Sequence, residues 1–66
     1  MKFTLIIGDE KESREVSEEK TIKSVLEDMD FPLETVVVKK NGQIVIEEEI
    51  IADGDIIEVI KVIYGG

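Results

Sequence analysis

The run Ile56-Ile57-Glu58-Val59-Ile60-Lys61-Val62 constrains the fold more than any other stretch of the chain. It is dense in β-branched residues and carries two charges, the pattern of a strand with little contact with water. Such a strand belongs in the middle of a sheet. The rest of the chain must therefore supply neighbours on both sides of it and a layer over its inner face. Ile57 and Val59 are assigned to the core, and Ile60 to the opposite face. The chain has 66 residues and no Cys, so one small domain has to do this without a disulfide. A chain of this length buries roughly 60% of the surface its unfolded form exposes.

From the N-terminus, Phe3, Leu5 and Ile7 recur at a period of two within Lys2 to Ile7 and predict a first strand. Gly8-Asp9 breaks it, and Glu10-Lys11-Glu12 is read as the turn. Ser13 to Ser17 is read as a short return strand at a sheet edge, with Val16 as its only apolar residue. Thr21 is a helix N-cap, since its hydroxyl can accept from a free first-turn amide. Ile22, Val25, Leu26 and Met29 follow at i, i+3, i+4 and i+7, one apolar stripe. Pro32 is expected to end this helix. Barely two turns long, it needs a sheet to pack on.

Glu34 to Lys40 contains Val36-Val37-Val38 and predicts a strand with Val36 and Val38 inward and Val37 and Lys39 outward. Asn41-Gly42 is a hairpin signal, because both residues tolerate positive φ. Gln43 to Ile46 returns. Glu47-Glu48-Glu49 is read as a solvated connection, with a docking surface for a basic partner as its functional alternative. Ile50 and Ile51 are expected to plug the core. Asp53-Gly54-Asp55 turns the chain into the last strand. The expected fold is α+β, two layers, a sheet of four to five strands with one helix across it.

No His and no Cys means no imidazole base, no thiolate nucleophile and no Cys-based metal site. Three consecutive carboxylates have no metal-ligand spacing, and no metal site is expected. A net charge of −8 disfavours nucleic acid and anionic membrane as partners. No apolar run is long enough to span a bilayer, and no secretory signal is recognised. A cytoplasmic monomer is the expectation.

The layout strand-strand-helix-strand resembles the ubiquitin-like β-grasp proteins. So do the hairpin Val38-Lys39-Lys40-Asn41-Gly42-Gln43-Ile44-Val45 and the ending Asp53-Gly54-Asp55-Ile56 through Gly65-Gly66. Within that group the chain is most similar to the sulfur carriers of thiamin and molybdopterin synthesis and to the small archaeal modifier proteins. The resemblance implies a mixed sheet, a β-grasp domain over residues 1–62 and a tail over 63–66. It also implies an E1-like adenylating enzyme that uses ATP and Mg to activate the Gly66 carboxylate, with no cofactor bound by the chain itself. Sulfur transfer would then make a thiocarboxylate, which a downstream sulfur-accepting synthase consumes. In the modifier branch a lysine of a target protein attacks instead. A non-covalent β-grasp binding module is the third reading, and there the terminus is irrelevant. An enzyme is the least expected, for want of a nucleophile–base pair.

Glycines without Cβ let a tail thread a narrow channel. Val62 to Gly66, fully extended, would reach roughly 16 Å at about 3.3 Å per residue. Ile63, Tyr64 and Gly65 are the residues expected to contact a partner groove. Ile60 and Val37, on the outer sheet face, are the expected docking patch.

Overall fold

The computed structural model describes residues 1–31 and 35–62. Residues 32–34 and 63–66 lie outside the described residues, and with them Pro32 and the expected tail. Strands β1 (Lys2–Ile7) and β2 (Glu10–Glu15) form an antiparallel hairpin. A two-stranded ladder of β3 (Lys20–Thr21) and β6 (Ile50–Ile51) brackets the start of helix α1 (Ile22–Asp28). A second hairpin, β4 (Val36–Lys40) and β5 (Gln43–Val45), follows the helix, and the last strand is β7 (Ile56–Lys61). The main sheet runs β2-β1-β7-β4-β5, with β7 parallel to β1 and antiparallel to β4. The expected α+β fold is present: a mixed five-stranded sheet, one helix across it, and the most apolar strand at its centre.

The core follows from alternation. Phe3 and Leu5 of β1, Val38 of β4, and Ile57 and Val59 of β7 are buried against Ile22, Val25 and Leu26 of α1 and Ile51 of β6. Met29, the fourth residue of the helix stripe, packs on this cluster half-buried, as do Ile7, Val16 and Val36.

Several expectations are corrected. The return strand begins at Glu10, three residues earlier than expected. Gly8 adopts φ +60°, so Gly8-Asp9 alone closes the hairpin, as the first position of a type II′ turn requires. The six polar residues of β2 are held by pairing with β1, a force that a hydrophobicity pattern does not show. Val16 lies just past the strand, yet its N–H donates to the Met1 carbonyl at 2.9 Å.

The helix ends at Asp28, before Pro32 is reached. Asp30 enters the left-handed region at φ +57°. Its N–H donates to Glu27 O at 3.0 Å, and Phe31 N–H donates to Leu26 O at 2.9 Å. These two bonds make a Schellman motif, with Asp where glycine is usual. Ile50 is 47% exposed, so only Ile51 plugs the core. In a two-residue strand neighbouring side chains face opposite ways. Strand β4 starts at Val36, with Thr35 in a turn, and β5 stops at Val45.

The first three helical amides all have acceptors. Thr21 Oγ1 accepts from Ser24 N–H at 3.1 Å, as the N-cap reading requires. The amides of Ile22 and Lys23 donate to the carbonyls of Glu49 (3.0 Å) and Glu47 (2.7 Å). The acidic run is thus more than a solvated connection: its backbone caps the helix.

Candidate functional site: the outer sheet face and the root of the tail

The face of the sheet away from α1 is built by the residues that alternate with the core. Register places Thr4 beside Ile56 and Ile6 beside Glu58 across β1 and β7. Across β7 and β4 it places Glu58 beside Lys39 and Ile60 beside Val37. Lys39 is in turn opposite Ile44 of β5. Ile6 and Val37 are half-buried, Ile60 is 36% exposed, and Ile44 is 71% exposed. Sequence reasoning placed Ile60 near Val37 on this face, and the structure brings them into register. It did not name Ile6, Ile44 and Ile56 for a patch; they lie on the same face, set apart from Ile60 and Val37 by Glu58 and Lys39. The period-two alternation of β1, β5 and β7 was the signal available for them.

The end of β7 is anchored at Val62. Val62 N–H donates to the Thr35 carbonyl at 2.8 Å, which continues the β4 pairing past Lys61. A shallow groove beside it is lined by Ile7, Gly8, Asp9, Glu58, Ile60 and Lys61. The Lys61 Nζ lies 5.4 Å from the centre of the Phe31 ring, a cation–π distance, so its charge has a partner within the fold. Ile63, Tyr64, Gly65 and Gly66, the expected tail-recognition residues and reactive carboxylate, lie outside the described residues.

The other end of β7 is fastened by a polar clasp. Asn41 adopts φ +53° and Gly42 φ +87°, the pair of positive values that a type I′ turn needs. Asn41 Nδ2 donates to Asp55 Oδ1 at 3.0 Å, and its Oδ1 accepts from Ile56 N–H at 2.9 Å. Its backbone N–H donates to Ile56 O at 2.8 Å. Asp55, buried at 8% exposure, also accepts from Ala52 N–H at 2.7 Å and lies 3.5 Å from Lys40 Nζ. Burial pushes the Asp55 carboxyl up, but the bonds from Ala52 and Asn41 and the Lys40 charge outweigh it, and its pKa is lowered from 3.8. Lys40 also donates to Ile50 O at 2.9 Å and pairs with Glu49 at 3.5 Å. The clasp is structural: it joins the hairpin, the β6 end and the β7 start.

Among the described residues no group of three or more Asp or Glu side chains is arranged to hold a metal ion. None of the described helices is long and apolar enough to cross a membrane. What the described residues present is an outer sheet face with exposed apolar side chains and the end of β7 at Lys61, followed by Val62.

A family model described as "ThiS family" matches residues 4–66 of the chain. Among solved structures, the chain is similar to the thiamine biosynthesis protein (ThiS) from Geobacter metallireducens. That match has a TM-score of 0.68 at 20% identity and covers 96% of this chain and 99% of that one. It is also similar to SAMP1 from Haloferax volcanii, with a TM-score of 0.75 at 17% identity over all of both chains. At these identities the two structures speak for the shared β-grasp fold.

Proposed function

The chain belongs to the ThiS family, and on that premise we propose that it is a ubiquitin-like sulfur carrier whose reactive group is the carboxylate of Gly66. The observation that carries this reading is the extent of the family match, which runs through the diglycine to residue 66. In the proposed cycle an E1-like enzyme binds ATP and Mg, and a Gly66 carboxylate oxygen attacks the α-phosphate. Pyrophosphate leaves and an acyl-adenylate forms. Sulfur transfer then displaces AMP and leaves a thiocarboxylate on Gly66, from which a downstream synthase takes sulfide. The chain is a co-substrate in this cycle, not an enzyme, and binds no cofactor of its own.

The outer sheet face supports the docking step. Val37 and Ile60 lie in register beside the root of the tail. A partner covering them while Ile63, Tyr64 and Gly65 thread its channel would hold Gly66 at the nucleotide. The experiment is a deletion of Gly66, assayed with the activating enzyme by ATP–pyrophosphate exchange. The variant should fold normally and lose exchange, whereas undiminished exchange would remove Gly66 from the chemistry.

The likeness to SAMP1 keeps a second outcome, conjugation of activated Gly66 to a lysine of a target protein. The two readings share the adenylation step and part at the acceptor.

A further inference from the structure

The clasp at Asn41 has a chemical consequence. Asn followed by Gly is the dipeptide in which the next backbone nitrogen reaches the side-chain amide most freely. Gly42 has no Cβ to obstruct that approach, and its φ of +87° is held in the turn. Asn41 is solvent-exposed. Its amide is nevertheless held by two side-chain hydrogen bonds, to Asp55 Oδ1 at 3.0 Å and from Ile56 N–H at 2.9 Å, both on the β7 side of the turn. The left-handed backbone of Asn41 is held as well, by its N–H bond to Ile56 O at 2.8 Å.

We propose that Asn41 is a modification site, a deamidating residue whose reaction is gated by opening of the clasp and whose product prevents the clasp from re-forming. When Asn41 leaves Asp55 and Ile56, the Gly42 backbone nitrogen loses its proton and attacks Asn41 Cγ. A new N–Cγ bond closes a five-membered succinimide, and the Cγ–Nδ2 bond breaks with ammonia as the leaving group. Water then opens the ring at either carbonyl. One opening gives aspartate, and the other gives isoaspartate with the main chain routed through the side chain. The net change is one water in and one ammonia out, with no oxidant or reductant.

Either product opposes the native clasp. Aspartate puts a carboxylate where the Nδ2 donor faced Asp55, two like charges at hydrogen-bonding distance. Lys40, already shared among Asp55, Glu49 and the Ile50 carbonyl, is the one cation in the cluster. Isoaspartate adds a methylene to the backbone, and a two-residue turn cannot absorb it. The modified chain loses the fastening at the start of β7, the central strand. The reaction thus acts as an irreversible limit on the lifetime of a folded copy.

The test incubates the whole protein in mildly alkaline buffer, with and without urea. It follows the amide-to-acid mass change, located at Asn41 by peptide mapping, and isoaspartate by enzymatic methyl labelling. Deamidation in the native protein should be about tenfold or more slower than in urea, since it requires a local opening. Asp55→Ala, kept under conditions where circular dichroism shows it folded, should raise the native rate toward the urea rate. Asn41→Asp, made directly, should melt at lower temperature than the parent. Equal rates in native and unfolded protein would overturn the gating. An Asn41→Asp variant as stable as the parent would overturn the claim about the product.

Discussion

Asp55 carries more of the fold than its place in an Asp-Gly-Asp turn suggests. Its carboxylate accepts from Ala52 and Asn41 and faces Lys40. Removing it leaves the Ala52 N–H and the Asn41 amide without their acceptor, so Asp55→Ala should cost about 1–3 kcal/mol in a urea titration at neutral pH. The folded pKa is lowered from 3.8, which fixes the sign of the pH effect. The ionised group stabilises the protein above 3.8, and that margin is lost as the pH falls through the lower folded value. The stability difference between the parent and Asp55→Asn should therefore narrow as the pH is taken below 3.8; a constant difference would show that the charge is not what matters. Asp30 gives the opposite sign. It occupies a left-handed position and puts negative charge at the negative end of the helix dipole. Asp30→Gly should raise stability by about 0.5–1 kcal/mol, read as a higher urea midpoint with unchanged slope.

At the scale of elements, β7 sets both halves of the account. Its inner residues Ile57 and Val59 are core, and its outer residue Ile60 sits beside Val37. Ile60→Asp should therefore weaken binding to the activating enzyme while leaving the melting temperature nearly unchanged. Binding by calorimetry beside a thermal melt separates the two, and undiminished affinity would move the docking patch elsewhere. The elements legible in the sequence were those set locally. The Thr21 cap, the Ile22-Val25-Leu26-Met29 stripe and the Asn41-Gly42 turn each lie within eight residues, and alternation exposed the inward faces of β1 and β7. What was missed depends on distant pairing. Strand β2 has almost no apolar signal and exists because β1 lies beside it. The β3–β6 ladder pairs Lys20 with Ile51 and Thr21 with Ile50, far apart in the chain, which places Ile50 outside and Ile51 inside. Asp55 looked like a turn residue because its side-chain partner Asn41 lies fourteen positions away.

Across the whole molecule, the net negative charge lies away from the outer sheet face. The outer sheet face carries Lys2, Lys11 and Lys39 against Glu15 and Glu58, although the chain as a whole carries −8. The acid surplus lies off this face, in the loops, on the helix and among the inward-side positions of β2. On the proposed docking, a basic partner would be drawn in by the body of the protein, and Val37 and Ile60 would make the contact. Association with the activating enzyme should slow as salt is raised, with dissociation little changed, because long-range steering acts on the encounter. The most direct measurement is the mass of the C-terminal peptide, taken from protein incubated with ATP, Mg, its activating enzyme and a sulfur donor. Replacement of one oxygen by sulfur, located at Gly66, is the predicted result. An unchanged carboxylate, or Gly66 found only in amide linkage to lysines of other proteins, would contradict the carrier account.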